Sequence, residues 1–307
     1  MSQQSLDFDG GLRWCEPERL RDELLARCPA LRAAAGGEVD CAVSGGPDSM
    51  ALLVLATSAG CRVTAIHVDH GLREGSAAEA DLVAVAAERF GAVFRRASVT
   101  VTPGPNLEAR SRAARYGVLG PDALTGHTAD DQAETMLLNL LRGGALNGLG
   151  GMRPHRHPLL AVRRSETHAL CRSFAIDVVD DPSNRSSAHL RNRVRAELLP
   201  LMEELARRDL VPVLARQAEL WRDDADLLDE LALAIDPTDA RGLAAAPVAL
   251  ARRAVRAWLT TDHPPDLATV ERVLAVARGD AQACETNNGR RISRHDQRLS
   301  LDATSLR

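Results

Sequence analysis

Lysine is absent from this 307-residue chain; all 38 of its basic residues are arginine. A Walker phosphate loop, GxxxxGK[ST], would therefore lack the lysine that reaches the phosphates. Schiff-base chemistry and a covalent nucleotidyl-lysine are excluded for want of an amine, as is the strand lysine of protein kinases. If the chain handles ATP, backbone amides, arginine or metal must hold the phosphates. Aromatic residues make up only 3%, so a core must rest on Ala, Leu and Val. The six cysteines, Cys15, Cys28, Cys41, Cys61, Cys171 and Cys284, form no CxxC pair. Zinc ribbons and thioredoxin-type redox motifs are thereby unsupported. No apolar run approaches the roughly 20 residues that span a bilayer. The N-terminal stretch MSQQSLDFDGG shows no signal-peptide pattern, so a cytoplasmic protein with reduced thiols and no membrane partner is expected. A strong positive balance is missing too: 42 acidic residues give a net charge of −4. Nucleic-acid binding is not announced globally, although local basic patches remain open.

The rest of the composition, 45% hydrophobic and 26% charged, is that of a soluble globular protein. The length suggests about two domains of roughly 150 residues. Leucines at 20, 24, 25 and 31 recur at helical spacing. From there strands alternate with helices: strand 39–43, helix 50–58, strand 62–68, helix 76–90, strand 92–99, helix 106–119, strand 123–126 and helix 130–142. Such alternation predicts an α/β unit with a parallel sheet covered on both faces. Glycines 143, 144, 148, 150 and 151 mark a loop. Helices are expected near 164–175 and 188–205 and again beyond 210, with a closing hairpin that turns at Asn288-Gly289. The expected division is a catalytic domain over 1–208 and a smaller, mainly helical domain over 209–307.

Between the first strand and its helix stands Ser44-Gly45-Gly46-Pro47-Asp48-Ser49. The glycines let a ligand approach the backbone, and Pro47 suits the first helical position. The amides that follow point out of a helix N-terminus, a ready anion site, and Ser44 and Ser49 add hydroxyl donors. This SGGPDS loop resembles the pyrophosphate loop of the N-type ATP pyrophosphatases. Those enzymes split ATP between its α- and β-phosphates, adenylate a carbonyl-type oxygen and grip the pyrophosphate without lysine. Four further stretches narrow the resemblance to the tRNA(Ile)-lysidine synthetases. They are HVDHGLR at 67–73, NLEARSRAARY at 106–116, GHTADDQAETMLLNLLRGGALNGLGGM at 126–152, and DDPSN with RNRVR at 180–195. The likeness is strong over 38–205 and weaker beyond. It implies a Rossmann-like PP-loop catalytic domain followed by a helical tRNA-binding domain. It further implies ATP as co-substrate, free L-lysine as nucleophile and the wobble cytidine of a CAU-anticodon isoleucine tRNA as target. In that reaction ATP adenylates the cytidine C2 oxygen, and the lysine amine displaces AMP to give lysidine. A homodimer is compatible with the sequence and not specified by it. A PP-loop tRNA thiolase is the nearest alternative, although the missing CxxC argues against the thiolases that use such a pair. A catalytically silent nucleotide- or RNA-binding protein is the other, and intact SGGPDS and Asp130-Asp131 argue against it.

Residue by residue, Ser44 to Ser49 and His70 are the expected ATP contacts, with Asp48, His127, Asp131, Glu134, Arg110 and Arg112 as the catalytic set. Helical geometry over 130–142 puts Ala133, Met136, Leu137, Leu140 and Leu141 on one stripe. Asp131 and Arg142 lie opposite, with Glu134 on the flank nearest Asp131. A carboxylate pair beside triphosphate can hold Mg²⁺, with Asp48, Asp130 and Asp131 as expected ligands, or can bind the ammonium of lysine. Asp130 is otherwise a helix N-cap and Glu134 a solvated charge. His127 is assigned phosphate contact or proton transfer. Arg110 and Arg112, two apart on a helix, cannot share a face. His70 is equally well read as a strand-end histidine, and Asp69 is ambiguous in the same way. Arg142, Arg185, Arg191, Arg193 and Arg195 offer charge to RNA phosphates, or else form a solvated, salt-bridged face. Arg290, Arg291, Arg294 and Arg298 form a second basic cluster. Two departures from the family pattern stand out. His157-Pro158-Leu159-Leu160 replaces the usual RPLL, with Arg156 one place earlier, and Thr128 replaces the second histidine of a GHH motif.

Overall fold

The computed structural model describes residues 16–69, 76–99, 110, 114, 117–179, 190–261, 263–286 and 289–302. The chain divides into two compact units, Met1–Ala218 and Glu219–Arg307.

In the first unit, helices α1 (Pro17–Ala26) and α2 (Pro29–Ala33) each start on a proline, whose fixed φ and missing N–H suit a first turn. Strands β1 (Glu38–Ala42), β2 (Arg62–Asp69), β3 (Val93–Ser98) and β4 (Leu124–Thr125) follow, with helices α3 (Pro47–Ser58) and α4 (Ser76–Arg89) between them. Arg110 and residues 117–119, in the expected helix before β4, are helical. The strands pair in parallel in the order β3-β2-β1-β4. The chain thus winds outward from β1 and returns to its other side, so the winding reverses between β1 and β4. In open α/β sheets the ligand crevice opens at the carboxyl ends of the strands beside such a reversal. The parallel α/β unit expected from the alternation, Rossmann-like as the family resemblance implies, is the fold observed.

Helix α3 has no polar face: Ser49 to Ala56 are all buried, as a helix apolar all round must be. Its leucines join Leu24, Leu31, Val63, Val83, Leu159 and Leu170 in an aliphatic core. Beyond β4 come α5 (Ala129–Leu141), α6 (Leu146–Leu149), α7 (Arg164–Ser173) and α8 (Leu190–Arg193). A π-helical segment, Val194–Leu198, leads into α9 (Leu199–Ala206) and α10 (Val211–Ala232). On α5, Ala133, Met136 and Leu137 are buried as expected, but Leu140 and Leu141 are 55% and 58% exposed. The covering residues Val194, Leu199, Leu210 and Val211 sit over positions 129, 133, 137 and 138, one turn nearer the N-terminus than the stripe suggests.

The second unit carries α11 (Ala240–Ala245), α12 (Val248–Leu259) and α13 (Leu267–Arg278). An antiparallel sheet, β5 (Ala283–Glu285), β6 (Arg291–His295) and β7 (Arg298–Asp302), completes it. Leu243, Val255, Val270, Val273, Leu274, Ile292 and Leu299 form its core. Gly289 lies in the β5–β6 connection with φ +68°; Asn288 is outside the described residues. A second turn, between β6 and β7, uses Asp296 and Gln297 at φ +46° and +62°. This two-residue hairpin turn has the positive-φ pair usually supplied by Asn-Gly, and without a glycine it left no mark in the sequence.

Candidate active site

The SGGPDS loop follows β1 and ends on α3, at the crevice between β1 and β4. Gly45 has φ +90°, and a Cβ there would sit 2.9 Å from Val179 Cγ2, so glycine is required twice over. Its carbonyl accepts the Val179 N–H at 2.9 Å. Ser49, buried on the first turn of α3, donates its hydroxyl to Gly46 O at 2.8 Å and accepts the Ser44 N–H at 3.1 Å. Gly46 is the N-cap and Pro47 the first helical residue, so the loop presents the amides of a twelve-residue helix to the crevice, a standard anion seat.

Across the crevice, Gly126 leads from β4 toward α5. A Cβ at Gly126 would lie 2.5 Å from Asp48 O and 2.9 Å from Ser49 N. The β4–α5 turn therefore rests on the phosphate loop, and only glycine permits that approach. Thr128 caps α5, not Asp130. Its N–H donates to Asp131 Oδ2 at 2.9 Å, the N3-to-N-cap bond of a capping box, and its hydroxyl donates to the same oxygen at 3.0 Å.

The α5 acids meet a set of arginines. Arg164, at the start of α7, donates to Asp131 Oδ1 at 2.8 Å and to Glu134 Oε1 at 3.2 Å, and its Nε lies 3.6 Å from Asp48 Oδ2. Its backbone N–H donates to Asp130 Oδ2 at 2.8 Å. Arg195 grips Glu134 with two bonds, at 2.6 and 3.1 Å. Arg191 lies 3.6 Å from Glu134 Oε2 and donates to Thr135 Oγ1 at 2.6 Å. Arg163 pairs with Asp130 at 3.2 Å and also with Asp209. Glu134 is thus a buried anchor for three guanidinium groups, its side chain 1% exposed, rather than a solvated charge. The π-helical segment containing Arg195 adds an extra residue per turn beside it, a device that often occurs where a side chain serves function.

Electrostatics follow the geometry. Burial pushes Asp48 up to about 6, reinforced by the charges of Asp131 and Asp130 and opposed by a hydroxyl bond from Thr167 and by Arg164. Burial also works against the Asp131 charge, but Arg164, His127, the Thr128 N–H and Arg191 outweigh it and hold the carboxyl below its usual range. Arg164 is raised despite its burial by the four acids around it. Cys171, whose thiol donates to Pro47 O, is pushed up to about 12, first by burial and then by Asp48; it is a packing residue.

His127 stands between β4 and α5, with Nδ1 2.7 Å from Thr125 Oγ1. Asp69 is buried at the end of β2 and ion-paired with Arg96 at 2.7 Å, and His67 is buried with Nδ1 3.0 Å from Val43 O, so both hold the sheet end together. Arg110 is half-buried, and Arg142 is exposed at the C-terminal end of α5. Arg193 is exposed and paired with Glu197 at 2.9 Å. In the second basic cluster Arg298 pairs with Asp236 at 2.8 Å, and Arg294 donates to Ala277 O at 3.0 Å. His70, Arg112 and Arg185 lie outside the described residues. Arg163, Arg164 and Thr167 escaped the sequence reading. Their only trace was an Arg-Arg pair opening a helix, with Thr167 one turn on. Among the described residues no group of three or more His, Cys, Asp or Glu gathers to hold a metal ion. The expected Asp48, Asp130 and Asp131 set is therefore no ready cage, because Asp130 is turned to Arg163 and Asp131 to Thr128 and Arg164. No described helix is long and apolar enough to cross a membrane.

Residues 24–202 match the family model of a PP-loop domain, and residues 239–300 that of the TilS substrate binding domain. A tRNA(Ile)-lysidine synthase from Nocardia farcinica is 43% identical over 71% of this chain and 74% of its own length. The enzyme of that name from Mycobacterium leprae is 39% identical over 85% and 89%, and that from Thermobifida fusca 38% over 88% and 93%. Among solved structures, a U34-tRNA thiolase, NcsA, from Methanococcus maripaludis superposes with a TM-score of 0.53, covering 67% of this chain and 80% of its own. At 18% identity that likeness shows a shared fold alone. With relatives at about 40% identity over most of both chains and both family domains in order, this chain belongs to the tRNA(Ile)-lysidine synthase family.

Proposed function

We propose that the chain uses ATP to activate the wobble cytidine of a CAU-anticodon isoleucine tRNA and then joins free L-lysine to it through a new C–N bond. The observation that carries this reading is the meeting of two elements across the β1–β4 crevice. Gly126 rests on Asp48, and Arg164 reaches from Asp48 to Asp131 and Glu134. The α3 amides and the hydroxyls of Ser44 and Ser49 would cradle the phosphates as the cytidine C2 oxygen bonds to the α-phosphorus and pyrophosphate leaves. The ε-amine then bonds to C2 and AMP departs.

Four carboxylates, Asp48, Asp130, Asp131 and Glu134, face four guanidinium groups, Arg163, Arg164, Arg191 and Arg195. The cluster has no surplus charge for a triphosphate. Mg²⁺ commonly uses one or two carboxylates together with phosphate oxygens, and Asp48, the one of the four carboxylates that lies within the loop, fits as the protein ligand. The ion would supply counter-charge to the phosphates. Asp131 would receive the incoming ammonium while Glu134 keeps Arg164 and Arg195 in place; the ammonium would give one proton to solvent to become the attacking amine, and His127 would take the second proton, lost as the C–N bond forms. Arg142, Arg193 and the outer atoms of Arg191 and Arg195 offer charge to the anticodon arm, with Arg185 in the same stretch of sequence. The segment 209–307, which contains the match to the substrate binding domain, would hold the rest of the tRNA. The cytoplasm, where ATP, tRNA and free lysine are present together, is the compartment this reading calls for.

The test is pyrophosphate and AMP release on CAU-anticodon tRNA with and without lysine, with mass analysis of the modified nucleoside. AMP release should require lysine, and the product should be lysidine. Turnover indifferent to lysine, or none, would sink the reading.

A further inference from the structure

Two histidines from different segments converge on one buried hydroxyl. Thr125, the last residue of β4, is 8% exposed. Its Oγ1 lies 2.7 Å from His127 Nδ1 and 2.5 Å from His157 Nδ1. The rings meet edge to face, centroids 4.8 Å apart at 88°. The Thr125 N–H donates to Arg156 O at 2.9 Å, so the segment carrying His157 is pinned along β4 by backbone as well as side chain. His157 occupies the place where the sequence resemblance leads one to expect arginine.

Hydrogen-bond arithmetic constrains the pair. A threonine hydroxyl has one proton to donate, and a neutral imidazole carries one N–H. In a buried site a hydroxyl proton without an acceptor is costly. The satisfied arrangement has the hydroxyl donating to one Nδ1 and accepting an N–H from the other. The two neutral rings then hold opposite tautomers, one with Nε2 as base and the other with Nε2–H as donor. His127 directly precedes Thr128, the cap of α5, and is the ring whose charge interaction reaches Asp131, so of the two rings it is the one beside the α5 carboxylates and is assigned the base.

We propose that His157 is a positioning residue: acting through Thr125, it holds His127 in the Nδ1–H tautomer, so that His127 Nε2 is the base for the lysine-transfer step. The inference rests on the reaction proposed above. As the amine nitrogen bonds to C2, the C2–O bond breaks and AMP leaves with its electron pair. The N–H bond of the attacking nitrogen breaks and its proton forms the Nε2–H bond of His127. The resulting imidazolium keeps donating from Nδ1 to Thr125, whose hydroxyl keeps donating to His157 Nδ1. With arginine at 157 the hydroxyl would have no acceptor there, because guanidinium only donates. This chain is therefore predicted to set its base differently from a relative carrying arginine.

The experiment is ¹⁵N NMR of the histidine rings in the full-length protein, paired with steady-state kinetics on tRNA, ATP and lysine. In the wild type, His127 and His157 should give opposite tautomer signatures. His157→Ala and Thr125→Val should each abolish the Nδ1–H signature of His127 and lower kcat for lysidine formation roughly a hundredfold, with KM for lysine little changed. The double variant should be no worse than either single one. His157→Asn, whose amide oxygen replaces the Nδ1 acceptor, should restore both the tautomer and most of kcat, and it also covers the case in which His157→Ala does not fold. Identical tautomers in the wild type, or wild-type kcat in Thr125→Val, would overturn the proposal. Wild-type protein without lysine-dependent turnover would overturn the reading of the reaction instead, leaving the tautomer pair to be judged on its NMR signals.

Discussion

Replacing Glu134 with alanine should destabilise the first unit by about 3 kcal/mol, more than any single surface ion pair there. The Glu134 side chain is 1% exposed, and its two oxygens serve Arg195 at 2.6 and 3.1 Å, Arg164 at 3.2 Å and Arg191 at 3.6 Å. Removing one member of a buried charge set strands its partners, at a typical cost of about 3–5 kcal/mol. The partners here are 22%, 33% and 36% exposed, so water compensates some of the loss and the lower end applies. At 1.36 kcal/mol per factor of ten, native-state exchange of the slowest β1 and β2 amides should accelerate roughly a hundredfold. Glu134→Gln keeps the volume and one acceptor, so it should lose less, about 2 kcal/mol, near the worth of a hydrogen bond to a charged group. Hydrogen exchange followed by mass spectrometry reads both variants, with urea unfolding as an independent measure of stability. If Glu134→Ala lost under about 1 kcal/mol at an unchanged urea slope, the arginines would be no worse off without their anchor, and the account of this cluster would be wrong.

Two further outcomes follow from the loop. Asp48 is raised to about 6 in the folded chain, above its ordinary 3.8. Between those values the native state binds the extra proton, so this group's contribution to stability falls as pH rises through the window. With Asp48 in the proposed role of Mg²⁺ ligand, catalysis would run the other way, because that role needs the ionised carboxylate; pyrophosphate release should then climb with a midpoint near pH 6 at limiting Mg²⁺. Thr167→Val removes a bond that lowers Asp48 and should move that midpoint upward, whereas a downward shift in the pH–rate profile would contradict the assignment. Gly126→Ala forces a Cβ to 2.5 Å from Asp48 O and should cost about 1–3 kcal/mol of stability. It should also slow pyrophosphate release by displacing the loop, and a calorimetric melt and rate equal to wild type would show that the turn has room to spare.

The parts of this protein that could be read in advance are those written in local chemistry. The Gly45-Gly46-Pro47 turn, the wholly apolar α3 and the alternation of strands carry their reasons within a few residues. The phosphate loop could accordingly be placed before the fold was seen. The arginine cluster could not. Arg164 reaches Asp131 from 33 residues away and Arg195 reaches Glu134 from 61, and in a chain whose every cation is arginine no single arginine stands out. Helical geometry did set Glu134 on the polar flank of α5. That geometry cannot show what covers a flank, and Arg191 and Arg195 arrive from a later helix to seal it. The same limit applies to Arg191 and Arg195 themselves: the sequence left RNA contact and a salt-bridged face both open, and their inner atoms lie on Glu134. Thr128, noted as a missing histidine, proved to be the N-cap that ties down Asp131.

The ring of guanidinium groups around the α5 carboxylates has a chemical corollary. In the reaction proposed above, the activated cytidine would be an electrophile awaiting an amine, and any lysine side chain beside it would be a competing nucleophile. Arginine stays protonated at every pH the protein can survive, and its delocalised charge leaves no lone pair free to attack. The cluster thus gathers positive charge on four side chains, none of which could react with such an intermediate, so on the proposed reading the attacking amine would be the substrate's own.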